Sequence, residues 1–146
     1  MSNHSRKAAL IGAVGERVQA FQDATDELDE AVARRVQLNR TDLRCLSVLS
    51  RMGGMSASAL AEATGLTRGA MTTALDRIEQ AGFATRVWDQ EDRRTVRVEL
   101  TETARKEIAS LYGPLAREGH ELLRHYTAEE LAAVVGDPAD GGRPRV

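Results

Sequence analysis

Few residues in this chain could do chemistry: three histidines, one cysteine and a cluster of arginines. His120-Glu121 followed by His125 has the residue types of a zinc-protease helix, two imidazoles and a carboxylate base. The spacing defeats it, because five residues at 3.6 per turn rotate the second ring by roughly 140° and two such rings cannot meet one ion. Cys45 lies between Arg44 and Leu46, and a lone cysteine excludes a disulfide framework within the chain. The expected reading is an inert buried thiol, with oxidant sensing through Cys45 as the alternative. There is no Gly-rich phosphate loop and no serine with an evident base partner. The expectation is no metal, no cofactor and no enzyme.

The arginines are another matter. Residues 68–97 hold six of them against five acids, a net of +1, whereas residues 16–30 hold one against six, a net of −5. A guanidinium is a fixed cation whose planar fork suits phosphate. The overall charge of −2 therefore conceals one segment suited to a polyanion and another that must lie away from it.

The elements that would position those arginines are written in residues 55–101. Ser56 caps a short helix, with Met55 and Leu60 as a hydrophobic staple, and Gly65 ends it. Thr67 caps the next helix at once, and Leu66 with Met71 repeats the staple. Met71, Ala74, Leu75 and Ile78 recur at helical spacing and form its buried stripe. The opposite face carries Arg68, Gly69, Thr72, Thr73, Asp76 and Arg77. After Gly82 come two strands, one holding Val87 between Arg86 and Trp88, the other alternating Val96, Val98 and Leu100 with Arg97 and Glu99. The polar loop between them, residues 89–94, ends in Arg93-Arg94, and an arginine at a hairpin tip suits the narrow minor groove.

On Leu66-Thr67-Arg68, Leu75-Asp76-Arg77-Ile78-Glu79, Gly82-Phe83, the loop from Asp89 to Arg94 and Leu100-Thr101-Glu102, the chain resembles the MarR family of winged-helix transcriptional regulators, from about residue 38 to about 106. The resemblance implies a mainly α fold with a small β-hairpin wing: a winged helix-turn-helix DNA-binding lobe plus a helical dimerisation region. It implies a homodimer on a palindromic operator, probing double-stranded DNA through Thr67, Arg68, Gly69, Thr72, Thr73 and Arg77. In the wing it implies that Asp92 orients the arginine and Arg94 enters the minor groove, with Arg93 beside it. It also implies a ligand-responsive repressor whose effector is a small aromatic or lipophilic compound, although no polar constellation here marks an effector site. Two positions depart from the family pattern, Thr73 where a basic residue is frequent and Gly69 where serine is frequent. Specificity is therefore expected to lean on the wing and on DNA shape. The rival from another class is a winged-helix protein-interaction module that does not bind DNA.

Outside that core, residues 5–35 read as one long helix with Ile11, Val14, Val18, Phe21, Leu28 and Val32 on a heptad seam. A stripe this long needs a partner helix, which makes it a dimerisation element. A second helix follows, capped at Asn39 or Thr41, with Leu43, Leu46, Leu49 and Met52 on one face. After Thr101 a further helix carries Leu115 and Leu122, with a kink or break expected at Gly113-Pro114. Thr127 and Glu130 form a capping box for a last helix bearing Leu131. The expected organisation is a dimerisation helix (1–37), a DNA-binding lobe (38–100), C-terminal dimerisation helices (101–135) and a disordered tail (136–146). The basic-then-apolar stretch at residues 7–14 mimics a signal peptide, but its heptad spacing continues past it. With no membrane-spanning run, a cytoplasmic protein is expected.

Overall fold

A computed structural model of the protein describes residues 2–136. The order is α1 (Asn3–Val36), α2 (Arg40–Met52), β1 (Met55–Ser56), α3 (Ala57–Thr64), α4 (Arg68–Gln80), β2 (Ala84–Trp88), β3 (Val96–Leu100), α5 (Glu102–Leu123) and α6 (Ala128–Val135). Two compact units divide within α5, Met1–Arg105 and Lys106–Val146.

Local chemistry sets most boundaries of the first unit. Asn39 caps α2 in a reciprocal box with Asp42: the Asp42 amide donates to Asn39 Oδ1 at 2.9 Å, and the Asn39 amide to Asp42 Oδ2 at 3.2 Å. Ser56 accepts from the Ala59 amide and Thr67 from the Ala70 amide, so α3 and α4 each begin on a hydroxyl. Gly65, at φ 71°, turns the chain between them in a left-handed conformation that costs glycine least. The core is Leu46, Val48 and Leu49 of α2, Leu60 of α3, Met71, Ala74, Leu75 and Ile78 of α4, and Val98 and Leu100 of β3. Met52, expected on the buried face of α2, is exposed, and Val48 and Asp42 are buried instead.

The hairpin is antiparallel, pairing Ala84 with Leu100, Arg86 with Val98 and Trp88 with Val96. The sheet has a third strand that the sequence reading lacked. β1 pairs Met55 with Val98 and Ser56 with Arg97, giving the order β1-β3-β2. Thr101 joins the hairpin to the helices: its hydroxyl donates to the Gly82 carbonyl at 2.7 Å and accepts from the Ala104 amide at 3.1 Å.

The seam on α1 changes character along its length. Val32 is buried and Leu28 half-buried, whereas Ile11, Val14, Val18 and Phe21 are exposed, Phe21 at 72%. In the second unit Leu115 and Leu122 are exposed and Leu131 is half-buried. Of the kink or break expected at Gly113-Pro114, the break does not occur: α5 runs unbroken through Pro114, although that residue offers no N–H to the Ser110 carbonyl. The capping box at Thr127 and Glu130 is present. Residues 137–146, most of the expected tail, lie outside the described residues.

Candidate nucleic-acid interface

The segment rich in arginines divides into two groups by what each guanidinium touches. Arg77 of α4 grips Asp42 of α2 through two bonds, Nε to Oδ2 at 3.0 Å and Nη2 to Oδ1 at 2.7 Å. Asp42 is fully buried and Arg77 half-exposed. Bonding to the carboxylate raises the Arg77 pKa further above its ordinary value. Arg86 of β2 is tied to Glu79 and, at 3.5 Å, to Asp76, both on α4. Arg97 of β3 pairs with Asp89 at 3.5 Å and donates to the Gly54 carbonyl. These three fasten α4 to α2, the hairpin to α4, and the start of the wing loop and Gly54, just before β1, to β3.

The other three, Arg68, Arg93 and Arg94, are exposed and have no ion-pair partner among the described residues. Arg68 opens α4 and the other two sit at the hairpin tip. Thr67, Gly69, Thr72 and Thr73 share the exposed side of α4 with Arg68. The Thr72 hydroxyl donates to the Arg68 carbonyl at 3.0 Å and the Thr73 hydroxyl to the Gly69 carbonyl at 3.1 Å. Both protons are thus held by the helix, and outward the side chains offer lone pairs and methyl groups.

Arg77 therefore stands apart from the other residues expected on this face, because its guanidinium is turned onto α2. Asp92 also acts differently from a simple side-chain clamp. Its Oδ1 accepts from the Arg94 backbone amide at 3.0 Å and its Oδ2 from the Thr95 hydroxyl at 3.0 Å, so it shapes the backbone that carries Arg94. Asp89 does the same one turn earlier, accepting from the amides of Glu91 at 2.8 Å and Asp92 at 3.2 Å. Those two amides, with Arg97 adding to them, hold the Asp89 carboxyl below the usual aspartate range.

Sequence reasoning missed Asp42 as the partner of Arg77, although Asn39-x-x-Asp42 is a legible capping pattern. Cys45 is fully buried, and burial, with Asp42 nearby, raises its thiol pKa. No group of three or more metal-ligating side chains occurs among the described residues. No described helix is long and apolar enough to cross a membrane.

Two helices joined by a tight turn, followed by a projecting hairpin, define a winged helix-turn-helix. The family model for the MarR family matches residues 38–96. An HTH-type transcriptional regulator of Bacillus subtilis, YcgE, is 38% identical over 143 residues, covering 96% of this chain and 93% of its own. Among solved structures, a MarR family protein from Bacillus stearothermophilus superposes with a TM-score of 0.66 at 16% identity, covering 91% of this chain and 93% of that one. NadR in complex with 4-hydroxyphenylacetate superposes with a TM-score of 0.62 at 18% identity, covering 89% and 92%. The chain belongs to the MarR family of DNA-binding transcriptional regulators.

Proposed function

We propose that the protein is a homodimeric, ligand-responsive repressor that works in the cytoplasm on a palindromic operator. The observation that carries this reading is the pairing state of the arginines. Among the described residues, Arg68 and Arg93-Arg94 have no ion-pair partner and stand at the two points where a winged helix meets the duplex, and Arg77, Arg86 and Arg97 hold those points in place. Arg68, with Thr67, Gly69, Thr72 and Thr73, addresses the major groove. Arg94 enters the minor groove, Arg93 pairs with phosphate and Asp92 sets the wing backbone. Arg77 acts on DNA only by positioning α4. Thr72 and Thr73, as acceptors and methyl groups, favour adenine N6, cytosine N4 and the thymine methyl over guanine.

The exposed seam of Ile11, Val14, Val18 and Phe21 supports pairing with a second copy, since a contiguous apolar stripe of this length is costly in water. The aromatic acid bound by NadR supports a small aromatic effector class here, acting by changing the spacing of the two α4 helices on DNA. Selection from a random duplex pool at two salt concentrations tests the reading. A palindrome with half-site centres about one turn or a multiple of it apart, roughly 34 Å per turn, is expected. No enrichment from a confirmed dimer overturns it in favour of a protein-interaction module.

A further inference from the structure

The wing carries a side chain that none of these roles employs. Trp88 is the chain's single tryptophan and is 67% exposed, although tryptophan is among the more buried residue types on average. It ends β2 opposite Val96. By the two-residue pleat it shares a face with Ala84, which is buried, and with Arg86, which reaches Asp76 and Glu79 of α4. Trp88 thus lies on the α4 side of the hairpin, one pleat nearer the tip than the last residue tied to that helix. Beside it opens a shallow hollow of about 560 Å³ lined by Trp88, Asp89, Gln90 and Arg93.

The charge of this hollow selects its occupant. Arg93 has no ion-pair partner among the described residues, whereas the Asp89 carboxylate is occupied by two backbone amides and Arg97. The hollow therefore offers a cation without an ion-pair partner among the described residues, a flat apolar surface with one N–H donor, and a carboxylate paired with Arg97 at 3.5 Å. Deoxyribose presents an apolar C–H face and phosphate an acceptor anion, an arrangement complementary to it. The hollow is also continuous with the wing tip that bears Arg93 and Arg94.

We propose that Trp88 is a DNA-contact residue: its indole packs on a deoxyribose beside the wing-bound groove and donates Nε1–H to a backbone phosphate, with Arg93 on the neighbouring phosphate. The proposal rests on the DNA-binding reading and adds an affinity determinant to it. Because the contact is to backbone, it strengthens binding to any sequence and carries no base preference of its own.

The single tryptophan makes the test direct. A duplex recovered from the random pool is labelled with fluorescein, and its anisotropy reports binding while Trp88 emission is read in the same titration. Trp88 emission should change as the duplex saturates, and acrylamide should quench the complex about threefold less than the free protein, as expected of a ring covered by the sugar–phosphate backbone. Trp88→Ala should weaken binding about tenfold on selected and random duplexes alike, and Trp88→Phe less, because it retains a flat ring. Neither change should alter the salt slope, whereas Arg93→Ala should reduce it by about 0.9. Saturating anisotropy with unchanged Trp88 emission and quenching overturns the proposal, as does wild-type affinity in Trp88→Ala. Emission that follows protein dilution and ignores DNA also overturns it, assigning Trp88 to a subunit contact. If no duplex changes the anisotropy, the DNA reading itself fails and takes this one with it.

Discussion

Arg77 reaches from α4 across 35 positions of sequence to close a two-pronged ion pair on Asp42, a carboxylate with no solvent exposure. The same carboxylate accepts the Asn39 amide that starts α2. One buried group therefore ties the start of α2 to α4. Removing Arg77 leaves that charge short of its main partner. Loss of one partner of a buried pair costs about 3–5 kcal/mol, and the half-exposure of Arg77 lets water recover part of this, so Arg77→Ala should lose about 2 kcal/mol in urea unfolding. Arg77→Lys should recover little of it, because an ammonium cannot form the fork. The salt slope of DNA binding should stay unchanged. A slope reduced by about one with stability intact would instead make Arg77 a phosphate contact.

The converse behaviour belongs to the unpaired arginines. Arg68→Ala, Arg93→Ala and Arg94→Ala should leave unfolding within about 0.5 kcal/mol of wild type, as exposed side chains without partners do. Each that neutralises one phosphate should reduce the slope of log K against log salt by about 0.9. Arg94→Ala should also flatten preference for a narrow minor groove at the operator flanks. Anisotropy titrations at several salt concentrations separate these effects, and Arg86→Ala or Arg97→Ala should move stability far more than slope.

What could be read from sequence, and what could not, follows the range of each interaction. Ser56, Gly65, Thr67 and the Thr127-Glu130 box act over three or four residues, and each sits in the structure where its pattern put it. β1 was invisible because two residues carry no period. Its only trace is Gly54, where a Cβ would lie 2.6 Å from Glu99 Cγ. The Asp42–Arg77 pair and the ties from Arg86 to α4 depend on tertiary packing, so charge counting saw six equivalent arginines where the structure has two groups. Pro114 signalled a kink or a break, and the helix continues through it without a break.

The wing's order should depend on acid in one direction only. Backbone amides of Glu91 and Asp92 hold the Asp89 carboxyl below its usual range, so the folded state favours the ionised form. Such a group stabilises fully above the ordinary aspartate value, about 4, and the contribution disappears as pH falls through the lowered folded value. Amide resonances of residues 91 and 92 should be constant from about pH 5 to 8 and should shift together only in more acidic solution. Asp89→Ala should reproduce the acid state at neutral pH and weaken DNA binding through the wing. If those amides shift around neutrality instead, a different group controls the loop.

The seam on α1 predicts a change of state. Val18→Glu or Phe21→Glu places a carboxylate in a stripe whose members Ile11, Val14, Val18 and Phe21 are all exposed in the single chain. Neither change touches the packed lobe, so thermal unfolding of that lobe should persist. Sedimentation should show a monomer, and affinity for a full palindrome should fall toward that for a half-site, because the second contact is no longer held at high effective concentration. A variant that remains dimeric would move the dimer contact off α1.

Cys45 bears on whether the protein answers to a ligand or to an oxidant. A reactive sensor thiol is exposed and has a depressed pKa, since the thiolate is the species oxidised. Cys45 is the reverse on both counts: it has no solvent exposure, and burial followed by the Asp42 charge pushes its pKa up, with Arg44 and Arg77 opposing weakly. Peroxide should therefore leave DNA binding intact. A thiol-labelling disulfide reagent should react at the rate of protein opening, slowing as stability is raised, and at full speed only in denaturant. Cys45→Ala should cost about 1–2 kcal/mol through the small cavity it leaves beside Asp42 and should not change any response to oxidant. Rapid labelling of the native protein, or DNA release by peroxide that Cys45→Ala abolishes, would place redox sensing at this thiol and require α2 to open far more readily than its packing implies.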